Sequence, residues 1–174
     1  SSAASDVYKR QPLVIGLIFN PISANALYPS DPSSVDVLKD DLHGKDLQNT
    51  EYVKYDLSGQ DLGEANLQGA YMSVTTAKNA SFKGANMKDL IAYATRFDNA
   101  DLSDANLTNG ELMKSVFDGA IIDGTDFTDA NLDLSQRKSL CSRATGTNSQ
   151  TGVDTIDSLE CSGLKGYMPP KPKA

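Results

Sequence analysis

Ala100-Asp101-Leu102-Ser103-Asp104-Ala105-Asn106-Leu107-Thr108-Asn109 is two beats of one pattern: a small residue, Asp or Asn, Leu, then two polar residues. Followed outward in fives, the Leu column runs from Leu42 to Leu132 without a slip. Of its 19 positions, 16 are Leu, Phe, Met or Ile, the exceptions being Tyr52, Ala77 and Ala92. A chain that is 39% hydrophobic would not place them so by chance. Two residues before each sits Ala, Gly, Ser or Thr in 14 of the 19. Period five fits neither a helix nor a plain strand. A fixed repeat sustained this long means a solenoid.

Residues two apart on an extended segment face the same way, so the large and small residues both point inward. The other three positions, rich in Asp, Asn, Ser, Thr, Lys and Gly, face solvent. Gly, Asn and Asp after the central residue suit tight corners. Five places break the small-residue rule: Asp40, Lys45, Tyr55, Gln60 and Leu90. Four fall in the first repeats, so an irregular opening coil is expected, with Lys45 unable to sit unpaired in a dry core.

Units such as Ala65-Asn66-Leu67, Ala85-Asn86-Met87 and Ala130-Asn131-Leu132 resemble the pentapeptide-repeat family, whose motif is Ala-(Asp/Asn)-Leu-x-x. The resemblance covers residues 40–134. It implies an all-β solenoid, a right-handed quadrilateral β-helix with four repeats per coil. The 19 repeats then give just under five coils. At ~4.8 Å per strand step the stack is roughly 20–25 Å long.

The flanks read differently. Lys9-Arg10, the apolar run Pro12–Phe19 and Ala24-Asn25-Ala26 have the layout of an export signal over residues 1–26. The alternative is an ordinary apolar strand or capping segment. Whether Ser1–Gln11 are native is left open. Residues 27–41 read as a short helical N-terminal cap, with Val35, Leu38 and Leu42 at helical spacing after Asp31-Pro32. After the solenoid (42–134) comes a C-terminal cap (135–164). It opens with a short helix at Ser135–Cys141 and offers Ile156, Leu159 and Cys161 as a second apolar surface. Residues 165–174, with Pro169-Pro170-Lys171-Pro172, read as a disordered tail.

Cys141 and Cys161 both lie in this cap. Two thiols without a nearby His make a poor zinc site. In an exported protein they read as one disulfide, worth about 3 kcal/mol in the chain-entropy model, holding the cap over Leu132 and Leu134. Two reduced structural thiols and a redox-active pair are the alternatives. Leu140-Cys141, Thr151-Gly152 and Ser158-Leu159-Glu160-Cys161, following the repeats, resemble the C-terminal segment of the thylakoid-lumen pentapeptide-repeat proteins of plants and algae. That resemblance implies a lumenal address, with a bacterial periplasm or cyanobacterial lumen as alternatives, and supplies no established biochemical activity.

The net charge of −7 argues against a nucleic-acid or anionic-membrane binder. The run at 12–19 is too short to insert stably in a membrane. His43 is the only imidazole and no catalytic set builds around it, so the chain is read as non-enzymatic, without cofactor or metal. Asp41, Asp61 and Asp101, and likewise Glu64 and Asp104, are expected to stack as a solvated acidic face.

Folding the repeats into four walls singles out the wall centred on Tyr52, Met72, Ala92, Leu112 and Leu132. Its outward residues include Val53, Tyr71, Val74, Ile91, Tyr93 and Met113. Large apolar residues grouped on one outer face mark a contact surface, unless the N-terminal segment or the tail covers it. The favoured function is a scaffold binding an unknown protein through this wall, its own oligomeric state undetermined. One alternative is an acidic DNA mimic binding type II topoisomerases, though Lys54, Lys78, Lys83, Lys88 and Arg96 interrupt the charge. A weaker one is redox sensing through the cysteine pair.

Overall fold

Each five-residue unit folds as one bridging residue, one inward residue and a tight corner. The computed structural model describes residues 42–169. The expectations for residues 1–41, and for the tail beyond 169, lie outside the described residues. At each corner a backbone N–H closes on the central carbonyl three residues earlier, as Ala105 N–H does on Leu102 O at 2.9 Å. The third residue of each turn has positive φ, from Gly44 at 64° through Asp104 at 57° to Asp129 at 57°, and the second does not. That is the type II turn. It recurs at all eighteen corners, and thirteen hold Gly, Asn or Asp, the residues that enter the left-handed region at least cost.

Parallel bridges link each bridging residue to the one twenty later, from Asp46↔Asn66 to Glu111↔Asn131. Twenty residues therefore make one coil, and four corners give it four faces. Face 1 is centred on Leu42, Leu62, Phe82, Leu102 and Ile122, and face 2 on Leu47, Leu67, Met87, Leu107 and Phe127. Face 3 is centred on Tyr52, Met72, Ala92, Leu112 and Leu132, and face 4 on Leu57, Ala77, Phe97 and Phe117. Coils are tied by three backbone bonds per repeat, as in Leu67 N–H to Asn86 O (2.7 Å), Gly69 N–H to Lys88 O (2.9 Å) and Asn86 N–H to Ala65 O (2.9 Å).

The central residues from Leu42 to Phe127 are buried, each contributing about 1.5–3 kcal/mol where it is a large side chain. Phe97 stacks on Phe117 at 5.3 Å, while Phe82 meets Phe97, and Phe127 meets Phe117, edge-on. Ala77 and Ala92 are the two central residues without bulk, and each immediately precedes a Phe repeat. The narrow axis also takes polar groups: Thr75, Thr95 and Ser115 donate their hydroxyls to the carbonyls of Tyr52, Met72 and Ala92, one coil below. Buried hydroxyls are tolerated because each has its partner.

The opening coil is more regular than expected. Its turns and bridges keep the same register as the rest, because both are built from backbone groups that do not depend on the side chain at the small position. Lys45 is exposed, so its ammonium never enters the core. Tyr55 packs edge-on against Tyr52 at 5.9 Å, and Leu90 is fully buried.

Beyond the last bridge the chain turns into α1, Leu134–Cys141, started by a capping box between Asp133 and Gln136. The Gln136 amide donates to Leu112 O at 2.8 Å and to Ser115 O at 2.7 Å. The first bond continues the hydroxyl column and the second replaces the N–H that a further coil would supply. Arg143 does the same for Phe117 O and Ala120 O, and Ser158 Oγ accepts from Phe127 N–H at 3.0 Å. A helical turn α2, Thr155–Ser158, and a 3-10 turn, Cys161–Gly163, complete the cover. Leu140, Ala144 and Leu159 are buried in it, and a disulfide joins the buried Cys141 and Cys161 across a Cα–Cα distance of 5.6 Å. The cap does not close over Leu134, which is 54% exposed as the first residue of α1, and Leu132 is only partly buried. The helix leaves from that edge of the last coil and so covers the centre of the stack first.

A candidate partner-binding face

Face 3 presents three outward columns. The bridging column runs Glu51, Tyr71, Ile91, Glu111; the middle one Val53, Ser73, Tyr93, Met113; the corner one Lys54, Val74, Ala94, Lys114. The structure thus brings all six sequence-predicted residues onto one face, over four successive coils. Tyr71, Val74 and Tyr93 are 45%, 52% and 41% exposed, while Val53, Ile91 and Met113 are half-buried between them. The Lys114 ammonium sits 5.2 Å from the Tyr93 ring centroid, within cation–π range, and contact with Tyr93 raises its pKa above the ordinary lysine value. Asn131 fixes Glu111 through a 2.7 Å bond to Oε2. Leu134, exposed at the start of α1, follows Leu132 of this face in the chain and is not among the expected residues.

The corner column has a second property that composition alone does not show. Five corners lack Gly, Asn and Asp, and four of them, Lys54, Val74, Ala94 and Lys114, are the stacked corners of face 3. Their φ values of 65°, 62°, 55° and 62° carry the steric cost of a Cβ in the left-handed region, about 1–2 kcal/mol each. For Val74, branched at Cβ, the conformation is a true outlier. Strain concentrated on one exposed face points toward function there.

The other sequence candidates resolve differently. His43 Nδ1 lies 3.3 Å from Asp61, and Ser81 follows Asp61 in the same bridging column on the side away from the imidazole's coil. Asp61 thus stands between the imidazole and the hydroxyl, whereas nucleophile activation needs the imidazole in the middle. The Gly63 N–H chiefly holds the Asp61 carboxyl below the usual range, with His43 adding to it. Asp61 and Asp101 share a column but are separated by Ser81. Glu64 and Asp104 are likewise separated by Gly84, and Asp104 is no solvated carboxylate. It accepts Ser149 N–H at 3.1 Å, under a strap formed by Thr145–Thr151.

That strap runs back over three coils along the corner between faces 1 and 2. Gly124 N–H bonds Thr145 O; the buried Asn148 amide donates to Asp104 O, Ala105 O and Gly124 O; Gln150 reaches Gly84 O at 2.8 Å. A Cβ on Gly124 would stand 3.2 Å from Thr147 O, so the glycine admits the strap. Among the described residues, the strap covers a corner away from face 3. Tyr167, in the segment read as disordered tail, packs against the core.

Eight copies of the pentapeptide-repeat model match residues 56–89 and 95–133. A pentapeptide repeat protein from the thylakoid lumen of Arabidopsis thaliana is 31% identical, over 71% of this chain and 92% of its own, with a TM-score of 0.36. The chain belongs to the pentapeptide-repeat family. The family's right-handed quadrilateral β-helix is therefore its fold. A cyanobacterial relative, Rfr23 from Cyanothece, is 27% identical over 48% of this pentapeptide-repeat protein and 57% of its own length, at a TM-score of 0.46. The thylakoid lumenal protein TL20.3 of Arabidopsis thaliana is 60% identical over 43 residues, 25% of this chain and 15% of that relative's length. These likenesses place this pentapeptide-repeat protein in the thylakoid lumen of the chloroplast. Among the described residues no helix is long and apolar enough to cross a membrane.

Proposed function

We propose that this pentapeptide-repeat protein is a non-enzymatic lumenal scaffold that binds protein through face 3. The observation that carries the reading is the strained corner column Lys54, Val74, Ala94, Lys114, of which Lys54, Val74 and Lys114 are also exposed. Neither solvation nor folding stability favours an exposed valine with φ of 62°, whereas a contact that buries it does. The scaffold is taken as just under five coils, residues 42–134, with an N-terminal cap at 27–41 and the disulfide-bonded cap at 135–164. The DNA-mimic alternative needs an unbroken file of charge, and the acidic columns are interrupted by Ser81 and Gly84.

The test is capture from a lumenal extract on the immobilised full chain. Tyr71→Glu with Tyr93→Glu should leave thermal unfolding unchanged, since both side chains point outward, and should abolish retention of a specific partner. Ile121→Glu, on face 1, should retain it. Undiminished retention by the double variant would remove face 3 from the reading.

A further inference from the structure

Face 3 carries a charge pattern that is complementary to itself in one orientation only. One edge, the bridging column, has carboxylates at both ends, Glu51 and Glu111, with Tyr71 and Ile91 between. The opposite edge, the corner column, has ammonium groups at both ends, Lys54 and Lys114, with Val74 and Ala94 between. All four charged side chains are exposed.

Two copies packed through the same face are related by a two-fold axis. An axis along the stack preserves height and exchanges edges. Glu51 then meets the partner's Lys54 and Glu111 meets the partner's Lys114, while Tyr71 faces the partner's Val74. An axis across the stack preserves edges and exchanges heights, setting Glu51 against the partner's Glu111 and Lys54 against the partner's Lys114. Opposite charges favour the first arrangement, and like charges penalise the second. The other faces are less suited: the strap lies on the corner of faces 1 and 2, and face 4 carries the Arg96–Asp98 ion pair at 2.7 Å.

We infer that face 3 is a self-association surface, on which two copies of this chain pack side by side and run in the same direction. This rests on the reading of face 3 as a contact surface and names its occupant. The four rows span about 15 Å along the stack and a single face in width. That is the small end of specific interfaces, so the dimer is weak and exchanges rapidly. Asn131 on Glu111 and Tyr93 beneath Lys114 hold those two charges in place before association.

Sedimentation of the full chain at low ionic strength should show a mass rising reversibly above 18.6 kDa with concentration and falling back with added salt. Lys54→Glu with Lys114→Glu should weaken association by about tenfold or more, and so should Glu51→Lys with Glu111→Lys. An equimolar mixture of the two double variants should recover association to within about threefold of the wild type. Ser73→Cys should cross-link to its own copy under mild oxidation, because the middle column lies beside the axis at equal height. Thermal unfolding of each variant confirms that the fold persists. A wild-type chain that stays monomeric up to about 1 mM, or a mixture that fails to recover, overturns the inference. If a different protein is still captured through Tyr71 and Tyr93, the inference fails while the scaffold reading stands; loss of both removes the two together.

Discussion

Val74 combines two unfavourable states, a branched side chain at φ 62° and 52% exposure to water. Asn or Gly at the same corner would relieve the steric clash, as one or the other does at ten others. Val74→Asn is therefore expected to raise unfolding free energy by about 1 kcal/mol in urea titration, while weakening whatever association face 3 supports. A variant that lost both stability and binding would show that the valine is there for the fold. On face 4, Asp98 takes two hydrogen bonds from Arg96, which hold its carboxyl below the usual range. A group whose pKa is depressed by folding contributes stability above its unfolded value, and that contribution is lost as pH falls through the folded one. Asp98→Asn should thus cost a little stability at about pH 7 and none at about pH 2, the effect kept small because Arg96 is half exposed.

At the level of elements, the repeat and the cap differ in how much of them the sequence discloses. The repeat was legible because every turn and ladder leaves its mark in the same chain position, and the corner preference for Gly, Asn and Asp follows from one backbone angle. All six face 3 residues followed from that register alone. The strap left no such mark: Asn148 acts through backbone carbonyls some 43 to 44 residues away, and a carbonyl has no sequence. Gly84 and Gly124 record its path, yet they are also plain corner glycines, so the signal is hidden inside the repeat. The regularity of the opening coil is hidden for a related reason, since an exception at the side chain leaves the backbone turn and ladder unchanged. The cysteine pair lies inside the cap, where Cys141 and Cys161 are both buried. Structural disulfides of this kind resist reductant in the native state, whereas exposed ones are the labile class. Neither cysteine should alkylate in the native chain, and a moderate reductant should act only once denaturant opens the cap. Cys141→Ser with Cys161→Ser is expected to lower stability by about 3 kcal/mol, read by the urea midpoint. Rapid reduction of the native chain would instead return redox sensing to consideration.

The whole molecule behaves as a stack in which each coil touches only its neighbours, closed at the C-terminal end by groups that imitate the next coil. Gln136 and Arg143 occupy the acceptors that an added layer would use, so this end offers little template for further chains. Because bridges join residues twenty apart, the chain has two different grammars of insertion. Duplicating Asn86–Ala105 adds twenty residues, a full coil, and every later residue should keep both its depth and its compass bearing. Duplicating a single five-residue unit such as Ala100–Asp104 keeps every later residue at its proper depth, yet rotates all of them by a quarter turn. Met113 and Lys114 would then move from beneath one heading to the next, and the C-terminal cap would arrive over the wrong corner. The first variant should unfold cooperatively near the parent temperature, and the second should fold its early coils but lose the protection of the strap to hydrogen exchange. A surface written in such a molecule is stored modulo twenty, while its core is stored modulo five. Lineages that lengthen this rod while keeping what it binds are thereby confined to whole revolutions.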